Sequence, residues 1–323
     1  MDMNVNRFLL DGRTYHMEDA GARQSIVNLT KESTDNVALM KTLAERRNIL
    51  HNWDFRNPVN QRGHMGYTRG HTIDRWRIAD SSPAIRLEIV SGGVKLTNNG
   101  PGLAIAMHQR IEFPHLYLGK TFTASVMHED EVCQTTFGLP QSMPAERIDI
   151  RSDEMPFGVQ ICVTVGSSGV RHPLNFFLYL LPGVSATIQA VKLEFGTAST
   201  LANDPPMDFG RELAVCQRYY ETSYSYGVLP GTATSAGMQI AIAYNPSRLP
   251  GSRFKVSKRI KPVVILFGRA GGRNRITTTN SLNDLSYEAV ALNSSSQDTG
   301  IIRTRGLETG GSHRFHWVAD ANL

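Results

Sequence analysis

The sequence predicts a mainly β chain: a helical N-terminal segment, an antiparallel β-sandwich of the jelly-roll kind, and a second, C-terminal β-domain. Three observations carry this prediction. After residue 49, apolar and polar residues alternate with period two over most of the chain, as half-buried strands require. The 28 glycines and 15 prolines are dispersed, so they punctuate many turns instead of forming a linker. Hydrophobic residues make up 41% of the chain and charged residues 20%, enough to fill packed cores and to exclude disorder throughout. A chain of 323 residues suggests two or three domains at roughly 100–200 residues each. The divisions fall at 1–48 for an arm and helix, 49–204 for the sandwich, and 205–323 for a short helix and the C-terminal β-domain.

The elements follow in order. Phe8-Leu9-Leu10 before Asp11-Gly12 predicts a short strand and a turn. From Met17 to Leu50 there is no Pro, and no Gly after Gly21, which suits a helix. A heptad runs through Ile26, Leu29, Ser33, Asn36, Met40, Leu43, Arg47 and Leu50. Its apolar stripe has two ways to be buried: in an inter-chain seam, or against the neighbouring β-domain. Ile85, Leu87 and Ile89 alternate with charged residues up to Ser91-Gly92-Gly93, and Val94 and Leu96 resume the alternation, predicting a hairpin. The same period covers Phe122–Val126, Val159–Val165 and Val191–Phe195. Such strands, with turns between them and no helical pattern, indicate a sandwich with one apolar face per sheet. Pro205-Pro206 marks a boundary. Asp208 then caps a helix with Phe209, Leu213, Cys216 and Tyr220 on one face. Beyond Tyr224 the apolar runs Met238–Tyr244 and Pro262–Gly268 return to strands, and Thr277–Asp284 and Asn293–Gly300 are expected as exposed loops.

Several strings are not generic. They are NILHNWDFRNPVNQRG (Asn48–Gly63), TIDRW (Thr72–Trp76), VKLEFG (Val191–Gly196), ELAVCQRYY (Glu212–Tyr220) and FHWVADANL (Phe315–Leu323). In this order and spacing, from Asn48 onward, the chain resembles phage and prophage tail-fibre or receptor-binding proteins. In that family an N-terminal helical segment leads into a carbohydrate-binding-module-like jelly roll and a C-terminal β-domain. The resemblance implies a homotrimer on a virion or tail-like particle, assembled in a bacterial host cytoplasm. The N-terminal segment would contact other tail or baseplate proteins, and the particle would touch host surface polysaccharide. Trp53, Phe55 and Trp76 could then be core aromatics or sugar platforms. Glu194 could help hold a structural cation, as acidic residues on closing strands do in carbohydrate-binding modules, although no cluster of oxygen ligands accompanies it.

The chemistry of catalysis is absent from the pattern. No G-x-S-x-G, H-E-x-x-H, Walker or dinucleotide signature occurs, so no catalytic residue, metal ligand set or cofactor is assigned. The run His128-Glu129-Asp130-Glu131 holds acids a glycosidase could use, but adjacent residues point in different directions, which suits a solvated charge run. His313 and His316 stand three apart, which on one strand puts them on opposite faces. The three cysteines are far apart and match no zinc spacing, so reduced buried thiols are expected. No run approaches the ~20 apolar residues of a membrane helix, and the first residues lack a signal-peptide layout, so no membrane insertion and synthesis in a cytosol are expected.

Charge is placed unevenly. From Arg211 onward there are 14 Lys and Arg against 7 Asp and Glu, leaving 20 against 22 before it. Between Arg248 and Arg275 stand nine basic residues and no acid. Arg269, Arg273 and Arg275 are therefore the candidate ligand contacts for an anionic surface polymer, with Trp53 and Trp76 as candidate sugar contacts. The alternative is that these charges scatter over solvated faces and are neutralised by Asp284, Glu288 or Asp298. Few aromatics lie among the basic residues to stack bases, which argues against nucleic acid. Two further readings remain: a tailspike-like polysaccharide depolymerase, for which no β-helix repeat appears, and a purely structural fibre component.

Overall fold

The computed structural model describes residues 7–10, 13–16, 20–45, 47–112, 116–139, 157–165, 171–242, 248–278, 289–292, 297, 299–304 and 311–322. The chain is mainly β, with antiparallel sheets and, among the described residues, two α-helices. At the N-terminus β1 (Arg7–Leu10) pairs with β2 (Arg13–His16), and helix α1 spans Ala20–Glu45. On α1, Ile26 and Leu29 are 40% and 64% exposed.

Two sheets form the sandwich. Its strands are β3 (Gly66–Tyr67), β4 (Gly70–His71), β5 (Arg77–Ile78), β6 (Ile85–Val90), β7 (Gly93–Asn98), β8 (Ala104–Ile111), β9 (Thr121–His128), β10 (Glu131–Gly138), β11 (Phe157–Val165), β12 (Arg171–Leu180) and β13 (Ser185–Phe195). One sheet has the order β10-β9-β13-β7-β6-β3, the other β11-β12-β8-β5-β4. Leu87, Leu96, Phe122, Val126 and Ile188 from the first share a single core with Met107, Leu174, Phe176 and Leu178 from the second. The predicted hairpin is β6–β7, with Val90 opposite Gly93. Gly93 is required there, because a Cβ would lie 2.5 Å from the Ile188 carbonyl oxygen.

The outer face of β9 and β13 departs from simple alternation. Thr123, Ser125, Lys192 and Glu194 sit on it, yet all four are buried. Residues 196–204 fold back over them, with Ser199 donating to Ser125 Oγ at 2.8 Å and Thr123 donating to the Gly196 carbonyl at 2.9 Å.

The C-terminal part begins with α2 (Phe209–Gln217), capped by Asp208, which accepts from the Arg211 N–H at 3.1 Å. Tyr220 belongs not to this helix but to β14 (Tyr220–Thr222). The remaining strands are β15 (Gln239–Ile242), β16 (Arg248–Arg253), β17 (Val263–Phe267), β18 (Thr277–Thr278), β19 (Ala289–Leu292), β20 (Thr299–Thr304) and β21 (Ser312–Asp320). β21 is the axis of the main sheet: β14 and β17 both pair with its Val318–Asp320 end, and β15 and β18 both pair with His313 and Arg314. Leu266, Ile276, Phe315, Trp317 and Ala319 form its core. β16, β20 and β19 make a separate three-stranded sheet. Asp284, Glu288 and Asp298, and most of the two expected loops, lie outside the described residues.

Candidate functional site

The sequence-predicted ligand residues fall in two places. Trp76 is fully buried in the sandwich core, edge-on to Phe55 and Phe176 at ring separations of 5.3 and 6.0 Å. Its indole N–H donates to the Asn52 carbonyl at 2.8 Å. Of the two readings of Trp76, core aromatic is the one its burial fits, since no sugar could reach the ring. Trp53 is half-buried and packs against the same core. Arg269, Arg273 and Arg275 lie instead on the turn between β17 and β18, with Arg273 exposed and the other two half-buried. This turn is locked to residues 225–238, where Thr234 N–H donates to the Arg269 carbonyl at 3.1 Å. A Cβ on Gly271 would lie 2.0 Å from the Gly231 carbonyl oxygen, so the two loops can approach this closely only through glycine.

The run of nine unopposed basic residues is not preserved in space. Lys258 is buried and ion-paired with Glu221, also donating to the carbonyls of Gln217 and Val256. Arg259 pairs with Glu112. The neutralising acids come from earlier in the chain, which a linear window cannot register.

Other candidates resolve simply. Glu129 and Asp130 occupy the β9–β10 turn with φ of 51° and 63°, and Glu129 is 83% exposed, as for a solvated charge run. Glu194 holds a cation, but a covalent one: the Lys192 ammonium lies 3.6 Å from it and 2.6 Å from Asp204, while Thr200 donates to Glu194 from N–H and hydroxyl at 2.8 Å. His316 stacks on Tyr224 at 3.8 Å, and its Nε2–H donates to the Thr234 carbonyl at 3.0 Å. Among the described residues no group of three metal-ligating side chains occurs. Cys216 is buried and Cys133 half-buried, both as free thiols.

Four of the five non-generic strings meet in one region, the seam between the sandwich and the C-terminal part. Asn52 is its hub. It is buried at φ 53°, donates to the carbonyls of Val59 and Asp74 at 2.9 and 2.7 Å, and accepts from the Val59 N–H at 2.7 Å. Its own N–H donates to Glu212 of α2 at 2.6 Å. Gln61 reaches the Tyr220 carbonyl at 2.7 Å. Arg62 is ion-paired with Asp74 at 3.0 Å and Asp320 at 3.8 Å, and lies 3.9 Å over the Tyr220 ring. Burial pushes Asp74 up to about 6, against the pull of Arg62 and Gln61.

Beside this seam is a cleft of about 340 Å³. Its floor is set by Gln109 on β8, which clamps the Asn48–His51 segment: Gln109 accepts from the His51 N–H at 2.8 Å and donates to the His51 carbonyl at 2.7 Å. Arg47, Arg75 and Arg110 line it, with Tyr117 and Phe195 stacked beside one another at 6.0 Å. Arg75 sits at φ 72°, a left-handed backbone that costs a non-glycine residue about 1–2 kcal/mol. Its guanidinium lies 3.5 Å over the Tyr219 ring, donates to the Arg110 carbonyl at 2.7 Å, and keeps a buried Nε without a partner among the described residues. Glu112, the acid in the lining, is occupied by Arg218 and Arg259. Burial, then the nearby Arg75, Arg47 and Arg218, hold His51 down to about 3. The ring is therefore neutral, and its 3.6 Å approach to Glu212 is not an ion pair.

Sequence reading missed this cleft. Its charged residues, Arg47, Arg75, Arg110 and Glu112, have no spacing that links them, and the sequence drew attention only to Arg47, in the heptad, and Arg75, in TIDRW. The fold and cleft define an antiparallel β protein whose sandwich carries a basic, aromatic-walled cleft beside its seam with the C-terminal part. Compared with protein-family models, curated proteins and solved structures, the chain finds no match in any of the three.

Proposed function

We propose that this chain is a receptor-binding subunit of a phage tail fibre or tail-like particle, which recognises host surface glycans without cleaving them. In this reading the sandwich is a jelly roll of the carbohydrate-binding kind. Three chains associate through α1, which would attach the fibre to the particle, and the C-terminal loops face the host. The observation that carries the reading is the seam cleft, where aromatic rings and guanidinium groups converge on one concave space. Sugars offer a C–H-rich face to such rings and oxygens to such donors. The exposed Ile26 and Leu29 support self-association of α1, because an amphipathic stripe gains stability only when it is covered.

The acids that a depolymerase reading would use do not join the cleft. Glu129 and Glu131 flank the hairpin tip next to His128, whereas the cleft residue Phe195 pairs with Phe122 at the other end of β9. Six residues of strand separate them, about 20 Å at roughly 3.3 Å each.

The test is to pass the full chain over immobilised bacterial capsules, lipopolysaccharide O-chains and teichoic acids, and to analyse the eluate. Retention without released oligosaccharide is expected. Oligosaccharide release would replace this reading with a depolymerase, and failure to bind any polymer would leave a structural fibre component.

A further inference from the structure

We propose that the seam cleft binds an acidic saccharide, with the oxyanion held between Arg110, Arg75 and Arg47 and the sugar ring laid against Tyr117 and Phe195. This rests on the glycan-recognition reading and specifies the ligand's chemistry and location.

Charge is the first argument. Arg47, Arg75 and Arg110 line the cleft, and none of them forms an ion pair among the described residues. Glu112, also in the lining, makes its ion pairs with Arg218 and Arg259 on the C-terminal side. His51, held neutral in the same wall, adds no positive charge of its own. Guanidinium groups lining one cleft repel one another, with Glu112 and Glu212 near them but in no ion pair with them, and an anion in their midst relieves that repulsion. The planar guanidinium fork matches a carboxylate or phosphate in geometry as well as charge.

Preorganisation is the second. Arg75 is fixed by its left-handed backbone, by the Tyr219 ring beneath it and by the Arg110 carbonyl. Its Nε is sealed beneath the wall, so it is the remainder of the immobilised guanidinium that faces a ligand. The stacked Tyr117–Phe195 pair is half-buried and offers apolar surface on the same cleft. A bare ion would make no use of that surface, whereas a sugar carrying the ion would.

The experiment is calorimetric titration of the full chain with glucuronic acid, glucose 6-phosphate, inorganic phosphate and glucose. The variant is Arg47→Gln with Arg110→Gln, which spares both Arg75 and the Arg110 carbonyl that it contacts. Saturable binding of at least one charged sugar is expected, with glucose at least about tenfold weaker, a hydrogen bond to a charged group being worth that much. Whether the uronate or the phosphate ester binds identifies the oxyanion. The double variant should lose about tenfold or more while unfolding like the parent. Equal binding of charged and neutral sugars, or an unaffected double variant, would overturn the proposal. Inorganic phosphate binding as tightly as glucose 6-phosphate would overturn its saccharide part. Retention on polysaccharide, measured on the same two proteins, separates the two levels. A parent chain retained by polymer but blind to charged sugars defeats the cleft alone. Charged-sugar binding lost in the variant, with no polymer retained, defeats the receptor-binding reading alone.

Discussion

Replacing Asn52 by Ala should destabilise the protein by about 4–5 kcal/mol. The magnitude follows from three side-chain hydrogen bonds, at 2.9, 2.7 and 2.7 Å, to the Val59 carbonyl, the Asp74 carbonyl and the Val59 N–H. Each is worth about 1 kcal/mol net, and somewhat more where the abandoned partner stays buried, giving roughly 3–4 kcal/mol. Holding an alanine at φ 53° adds about 1 kcal/mol, because its Cβ approaches the following carbonyl. Asn52→Gly separates the contributions: it loses the same bonds but not the strain, so it should be no less stable than Asn52→Ala despite glycine's entropic cost. Urea midpoints at a shared slope measure both variants. Trp76 fluorescence is a local probe, since its indole donates to the Asn52 carbonyl. A loss below about 2 kcal/mol in the alanine variant, or a glycine variant clearly worse than it, would refute the account of Asn52 as the hub of the seam.

Lys258→Met should cost about 3–5 kcal/mol by stranding buried Glu221, and much of that should return in a Glu221→Leu background, as a double-mutant cycle would measure. Stability should fall as pH drops from about 6.5 toward about 4: His51, His71 and His108 are held at about 3, 4 and 4, chiefly by burial and then by arginines, so near pH 5 the unfolded chain binds three protons that the folded one does not. Asp74, raised to about 6, opposes with only one. Urea midpoints from about pH 7.5 to 4.5 should therefore decline, and a flat series would contradict the burial of these rings. Light scattering should give three times the 35.8 kDa chain mass, reverting to the monomer on Ile26→Asn with Leu29→Asn. Changing Arg269, Arg273 and Arg275 together to Ser should reduce adsorption to host cells at low salt more than at moderate salt.

The sheets were legible because alternation is a local signal. In Ile85–Val90 the alternation of the sequence is the alternation of burial at its start, with Ile85 and Leu87 buried on either side of exposed Arg86. The cap at Asp208 is equally local. The alternation failed where a covering segment arrives from elsewhere: Lys192 and Glu194 are charged residues at outward positions, yet residues 196–204 bury them, and their mutual neutralisation makes that burial tolerable. The basic window failed for the same reason. Lys258 and Arg259 find their acids at Glu221 and Glu112, on strands and loops that a count along the chain keeps apart. Trp76 could be core or platform from sequence alone, because an aromatic residue suits both until its exposure is known.

Four of the non-generic strings meet at a joint between the sandwich and the C-terminal part, and the cleft lies beside it. Arg75 belongs to TIDRW and Tyr219 to ELAVCQRYY, and their stacking crosses the seam. Arg218, from the same second string, pairs at 3.5 Å with Glu112, the acid in the cleft's lining. A free arginine side chain carries about 2 kcal/mol of rotamer entropy, which a ligand would otherwise have to overcome. Here folding has already immobilised Arg75, so a ligand meets a donor fixed in place. Tyr219→Leu should therefore weaken binding of the charged sugar without removing any group that touches it, through a loosened Arg75. The seam and the cleft are thus one device: substitutions that loosen the first should degrade the second in proportion, while substitutions on the Arg269–Arg275 turn should leave charged-sugar binding in the cleft unchanged.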